Sequence, residues 1–342
     1  MKTRNEAAVP MKGVRKAALE MLRSPQFFDK LRAALRVGLP GEEVLGMGVF
    51  LVAASRFRPN PLRLLIREGT EGTASYIVRK VSQFLPPGSV VNLTPEDGEG
   101  WRRFAKDPQQ KVVWVPEWNH WGNGGSSHLE IGKNQLTRVT PVKRDERTIE
   151  NREEIKGGFA CISAEAPPEQ NEQSRWLTLR LPRKAGADPD QERHILPRGG
   201  AEVEAWREVQ RQLQERAHVP IVLPDWGDVV VEQMCGDERV SRHIPALLQV
   251  WKTMCLLRSF QYGYDERAGM LQARFEDLAA AVLMARKAFW EGQRFPSPRG
   301  VFDKISPAIQ NAALMNPVTG NGIRYTHQEK ARMHWKTILP ED

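Results

Sequence analysis

Apolar residues recur at helical spacing through Phe27, Phe28, Leu31, Ala34 and Leu35, and Ser24-Pro25 in front of them is a cap and first-turn pair, so a helix is expected from Ser24. Gly38-Leu-Pro-Gly-Glu-Glu breaks that pattern, and a second, more uniformly apolar helix is expected from about Glu42 to Arg56. Arg58-Pro-Asn-Pro then leads into a short apolar strand, Leu62–Ile66, followed by a glycine-bearing turn and a helix over Ser75–Leu85 that Pro86-Pro-Gly-Ser must end. Further on, Val90–Leu93 and Lys111–Val115 read as strands with a helix starting at Trp101–Phe104 between them, and Gly157–Ser163 and Trp176–Leu181 read as two more. The runs Lys111–Val115 and Gly157–Ser163 are apolar without alternation, which suits strands covered on both faces. Alternating strands and helices of this kind predict an α/β fold with a parallel or mixed sheet.

The pattern changes twice. Residues 118–158 are polar and glycine-bearing, with His120 and His128 expected in loops and the charged run from Lys143 to Lys156 expected as a solvated hairpin. Residues 183–200, rich in Pro, Gly and charge, read as a linker. Beyond it the chain turns helical: Val203, Trp206, Val209 and Leu213 form one apolar face, Ala246–Tyr262 a long apolar helix and Phe275–Trp290 another. The aromatics Trp251, Phe260, Phe289 and Trp290 fall at helical spacing and are expected in the core. The expected organisation is a basic, partly ordered lead-in (1–23), an N-terminal helical lid (24–60), an α/β domain (61–182), the linker, a helical domain (201–295) and a tail (296–342) long enough for only part of a winged-helix-like domain.

Composition adds limits. The chain has 342 residues and a formal charge of +8, which favours a polyanionic partner weakly. Cys161, Cys235 and Cys255 are scattered, without paired spacing or neighbouring ligands, and read as buried thiols in a reducing compartment. No run is apolar and long enough for a membrane span, and residues 1–16 lack the apolar centre of a signal peptide, so a cytoplasmic location without membrane contact is expected.

The strand–turn–helix unit over Pro61–Leu85 is where chemistry is expected. Such a turn aims backbone N–H groups and the positive end of a helix at an anion. Set against the phosphate-loop pattern G-x-x-x-x-G-K-[ST], however, Ser75 matches the last residue while Ala74 stands where lysine should be, Thr73 at the second glycine and Glu68 at the first. Gly69 and Gly72 supply the turn instead, and Glu71 adds negative charge. Ser75 keeps the hydroxyl that would reach Mg2+ through a nucleotide. One strand later, Val115 runs into Pro116-Glu117: a glutamate that could activate water follows a proline where a magnesium-binding aspartate would stand. Ser163 ends another buried strand, where its hydroxyl could face a nucleotide, and Arg175, just ahead of the last strand, could reach a phosphate. In the charged run, Arg138, Lys143, Arg144, Arg147 and Arg152 are the candidates for a nucleic-acid backbone.

The order of these pieces resembles the AAA+ ATPase module of primase-helicase proteins from phages, plasmids and integrative elements, related to helicases of the minichromosome-maintenance and viral superfamily-three types. The resemblance runs from Ser24 to about Gly292. It rests on Gly38-Leu-Pro-Gly-Glu, Ser55-Arg, Pro61-Leu with Leu65-Ile, and Ser75-Tyr-Ile-Val in place of Gly-Lys-Ser-Tyr-Leu-Val. It continues in Pro86-Pro-Gly-Ser-Val-Val, Val112–Glu117, Asn171-Glu-Gln-Ser-Arg175, Ser241-Arg-His-Ile, Arg258-Ser-Phe-Gln and Phe275-Glu-Asp-Leu. It implies a P-loop sheet flanked by helices, a hexameric ring, ATP and Mg2+ as cofactors, and movement along DNA beside other replication proteins of the same element. By it, Thr73, Ala74 and Ser75 take phosphate-loop positions, Glu117 the catalytic glutamate, Ser163 a sensor and Arg175 an arginine finger. Losing both the loop lysine and the magnesium aspartate implies a helicase-like protein that binds DNA or a replication partner with weak or no ATP hydrolysis. The alternatives are an active DNA-dependent ATPase that uses Arg67, Arg79 or Lys80 for the phosphate, and a protein-interaction scaffold without DNA contact.

Overall fold

The computed structural model describes residues 11–285 apart from 68–71, 95–97, 117–127, 133, 145–146, 165–175, 182–199, 225–242 and 263–268. The expected linker up to residue 199 and the tail from 296 therefore lie outside the described residues, as do His120, Cys235, Phe289 and Trp290.

Five strands form a parallel sheet: β1 (Arg63–Arg67), β2 (Val90–Asn92), β3 (Val112–Val115), β7 (Ala160–Ser163) and β8 (Leu177–Arg180), in the order β2-β3-β7-β1-β8. The registers Arg63 with Cys161, Val112 with Ala160, Val90 with Val112 and Leu64 with Leu177 hold it together. Helix α4 (Thr73–Ser82) carries the chain from β1 across to the far edge at β2, and α5 (Gly98–Lys106) returns it to β3. Between β3 and β7 the chain makes a separate antiparallel sheet of β4 (His128–Gly132), β5 (Gln135–Arg144) and β6 (Arg147–Lys156). The hairpin expected in the charged run is β5–β6, whereas His128, read as a loop residue, opens β4.

The central strands are apolar on both sides because both faces are covered. Their alternation splits them between two cores: Leu64, Ile66, Val112, Trp114, Ala160 and Ile162 face one, and Leu65, Val113, Val115 and Cys161 face the other. The second core is closed by Trp101 and Phe104 of α5, by Phe159, and by Leu129, Ile131, Leu136 and Ile155 of the antiparallel sheet. The first is far larger and takes in residues of α1 (Met11–Arg23), α2 (Phe27–Gly38), α3 (Glu43–Ser55), α4, α6 (Ala201–Glu215), α7 (Ile244–Tyr262) and α8 (Phe275–Met284). The segment read as a partly ordered lead-in is thus helical from Met11, anchored by Ala18 and Leu22. Strands β9 (Ile221–Val222) and β10 (Leu271–Gln272) form a short parallel pair beside α7.

Helix α3 sits at the centre of that core. Every residue from Leu45 to Ser55 is buried, which explains a sequence apolar on all sides. No single helix among the described residues is long and apolar enough to cross a membrane. At the bend between α2 and α3, Gly41 has φ 81°, and Glu43 Oε1 accepts from Arg36 Nε at 2.8 Å and from the Gly41 N–H at 3.3 Å. Burial works to raise the Glu43 pKa, but the Arg36 hydrogen bond and the backbone N–H groups of Glu43 and Gly41 outweigh it, and the net shift is downward. A lowered carboxyl pKa gives stability that is present above the unfolded value of about 4.3 and is lost as pH falls through the folded value. Because the Arg36 side chain is 62% exposed, Glu43→Gln is expected to cost only about 0.5–1 kcal/mol at neutral pH. Urea unfolding should show that difference vanish in acid; a difference independent of pH would refute the assignment.

Candidate functional site

In a parallel sheet, ligands bind beyond the carboxyl ends of the strands where the strand order reverses. Here that point lies between β1 and β7: from β1 the chain crosses to the far edge at β2, whereas from β7 it crosses in the opposite direction, past β1, to β8. The chain leaves β1 at Arg67 and enters α4 through Gly72, which has φ 82° and leads directly into Thr73. That left-handed conformation is ready for glycine and strained for other residues. Among its expected N–H donors, Thr73, Ala74 and Ser75 lie in the first turn of α4, whose leading N–H groups have no intrahelical acceptor. Ser75 is exposed and Ala74 is half-buried against the main core. Ser163 ends β7, fully buried, in register with Leu65 of β1 and Val115 of β3. It therefore lies at the same edge, one strand from the point where β1 hands over to the loop. Gly69, Glu117 and Arg175 lie outside the described residues; Pro116 follows β3 directly.

The substitute cations are distributed unevenly. Lys80 is seven residues beyond Thr73, about 10 Å along the helix. It is 4% exposed, with its ammonium 5.1 Å from the Tyr76 ring centre. Burial first, and then the charge of Arg79, lower the Lys80 pKa. Arg79 flanks the same ring at 5.7 Å, and the Tyr76 hydroxyl donates to the Gly38 carbonyl at 2.9 Å. Burial raises the Tyr76 pKa, opposed by Arg79. Both cations thus gather on Tyr76, which pins α4 to the end of α2. Arg67 is different. It stands at the sheet edge in register with Arg180 of β8, and the Leu181 N–H donates to its carbonyl at 2.9 Å. Sequence reasoning missed Arg180: Arg67 follows one expected strand and Arg180 lies within another, but register alone makes them neighbours.

The hairpin candidates form a second group. Its base is tied to the opposite end of β1, where the Arg63 guanidinium donates to the Gly132 carbonyl and Asn134 Nδ2 donates to the Pro59 carbonyl at 3.0 Å. Strand β4 pairs with β5 only as far as Val139, so the ribbon from Thr140 to Arg144 continues paired to β6 alone for about 17 Å. Arg138 is held by Glu153 at 2.5 Å and lies 4.9 Å from the Trp101 ring. Arg152 pairs with Glu130 and with Glu150, the latter at 3.1 Å. Lys143, Arg144 and Arg147 take the last register positions, Lys143 opposite Thr148 and Arg144 opposite Arg147. The five candidates thus divide into two matched by carboxylates and three at the tip.

No group of three or more His, Cys, Asp or Glu able to hold a metal occurs among the described residues. Cys161 and Cys255 are buried free thiols; burial pushes Cys161 up to about 12, opposed by Arg63, and raises Cys255 as well.

No known protein family matches the chain. No curated protein matches it either. Among solved structures it is similar to a full-length MCM homolog from Methanopyrus kandleri, with a TM-score of 0.46 and 14% identity over 84% of this chain and 63% of that one. The chain therefore spans less than two thirds of that protein's length.

Proposed function

We propose that this chain is a helicase-like AAA+ module retired from ATP hydrolysis, which serves a phage or mobile-element replication system by holding DNA or a replication partner within an oligomer. One observation carries the reading: the β1–loop–α4 frame sits at the reversal point of the sheet with its glycine-led entry intact, while the first turn of α4 reads Thr73-Ala74-Ser75 without a cation. A nucleotide phosphate there would meet N–H dipoles but no lysine, and Lys80 and Arg79 are engaged with Tyr76. An absent charge contact in a dry site costs several kcal/mol of transition-state stabilisation, on the order of 10²–10³ in rate. Pro116 in place of an acidic magnesium ligand weakens the site a second time. Glu117, Arg175 and Gly69 keep the roles of water activator, finger and loop residue that the resemblance implies, and Ser75 that of a magnesium-side hydroxyl. Arg138, Lys143, Arg144, Arg147 and Arg152 stay the proposed DNA contacts of the hairpin, with Arg138 and Arg152 exchanging their carboxylate partners for phosphate.

The test is ATP binding and turnover by the natural chain and by Thr73→Gly/Ala74→Lys, with and without DNA. The natural chain is expected to show no DNA-stimulated turnover, and the double variant to gain nucleotide affinity at least tenfold. Turnover by the natural chain that Glu117→Gln abolishes would make this an active motor and sink the proposal.

A further inference from the structure

The charge of the chain is not where the hairpin reading puts it. Residues 135–156, the whole of β5 and β6, carry six Lys and Arg against five Asp and Glu. Residues 11–38, the span of α1 and α2, carry seven against two, which is +5 of the chain's total of +8. Twenty-eight residues thus hold most of the excess, and the rest of the protein is close to balanced.

The fold turns that excess outwards. Ala18 and Leu22 of α1 and Phe27, Leu31, Ala34 and Leu35 of α2 are at most 4% exposed, so the apolar side of both helices is spent on the core. Arg15, Lys16, Arg23, Lys30, Arg32 and Arg36 are exposed. Three of them have partners: Arg15 with Glu215 at 3.1 Å, Lys16 with Glu20 at 4.0 Å and Arg36 with Glu43 at 2.8 Å. Arg23, Lys30 and Arg32, on either side of the Ser24–Gln26 joint, make no ion pair among the described residues.

We infer that the solvent face of α1 and α2 is a polyanion-binding surface whose ligand is the phosphate backbone of nucleic acid, with Arg23, Lys30 and Arg32 as its principal contacts. A basic helix can instead lie on an anionic membrane, but that mode needs a free apolar face, and here both apolar faces are buried. Phosphate backbones need only exposed cations and release counterions when neutralised. The inference rests on the reading of a DNA partner and adds a surface separate from the hairpin.

Binding of a short labelled DNA duplex by the full chain, measured by fluorescence anisotropy across a salt series, tests it. Arg23→Glu/Lys30→Glu/Arg32→Glu is expected to lose at least about tenfold affinity near 0.1 M salt and to flatten the log–log salt slope by about 3. The charge-keeping variant Arg23→Lys/Lys30→Arg/Arg32→Lys should bind as the natural chain does, and unchanged thermal melts separate lost contact from lost folding. A parallel variant, Lys143→Glu/Arg144→Glu/Arg147→Glu, reads the hairpin on its own; if it alone loses binding, the α1–α2 surface is overturned and the hairpin contact stands. If the α1–α2 variant alone loses binding, the inference stands and the hairpin contact fails. A natural chain that binds no duplex, or that binds anionic phosphatidylglycerol vesicles in preference to DNA, overturns the inference.

Discussion

Trp206→Ala is expected to destabilise the protein by about 3–5 kcal/mol, a large share of the roughly 5–15 kcal/mol that holds a typical domain together. Trp206 is 1% exposed on α6, and its ring meets Phe27, Phe50 and Phe84 with centroids 5.6, 5.9 and 5.8 Å away. These phenylalanines come from α2, from α3 and from the turn after α4, so one side chain seats α6 on three earlier elements. Truncation would remove the ring's buried area and leave a cavity that the three remaining rigid rings cannot easily close. The indole Nε1 is buried without a hydrogen-bond partner among the described residues, so Trp206→Phe sheds an unsatisfied donor as it loses area and should cost much less than alanine. Urea unfolding followed by circular dichroism checks both. A loss below about 1 kcal/mol for the alanine variant would mean that α6 is not docked through this residue.

The second large effect is expected at the α7–α8 contact and depends on pH. Asp277 is 1% exposed; its Oδ2 accepts the Arg274 N–H at 2.9 Å, and Arg258 Nη1 lies 3.4 Å from Oδ1. Burial raises the Asp277 pKa more than Arg258 and the Arg274 N–H lower it, so the net shift is upward. A raised carboxyl pKa contributes stability that is complete below the unfolded value of about 4 and is lost as pH rises through the folded value. Arg258 limits that loss. Arg258→Ala should leave a buried carboxylate without its counter-charge and cost about 3–5 kcal/mol near neutral pH. Near pH 4.5 the cost should shrink towards the lost packing of the arginine stem, because a protonated Asp277 no longer needs the guanidinium. Adding Asp277→Ala should recover part of the neutral-pH loss, since the stranded charge goes with it. Equal losses at both pH values would rule out the pair as their source.

Much of the secondary structure was legible because period and composition state it directly. The apolar runs Val112–Val115 and Ala160–Ser163 suited strands covered on both faces, and the spacing of Val203, Trp206, Val209 and Leu213 suited one face of a helix. Helix α1 was less visible, because Ala18 and Leu22 are a thin apolar signal among lysines and arginines. The residues of the candidate nucleotide site were legible as a departure from a pattern, through Ala74 and Pro116. Their setting was not: strand order, the placing of Ser163 beside β1, and the register of Arg67 with Arg180 join residues more than ninety positions apart.

The hairpin marks the same divide. Its existence followed from a charged run between apolar segments, but its charge pairs depend on which residue faces which across two strands. Register placed Arg138 opposite Glu153, and the neighbouring strand supplied Glu130 to Arg152, so both arginines have carboxylate partners. By itself the sequence determined the α/β class, most element positions, the lack of a lysine in Thr73-Ala74-Ser75 and the concentration of positive charge in residues 11–38, because each is a property of consecutive residues. The tertiary structure alone decided which cations are already neutralised, which side of α1 and α2 faces water, and which strand ends share an edge. Those depend on long-range packing, where burial and pairing energies act between residues that the order of the chain leaves far apart.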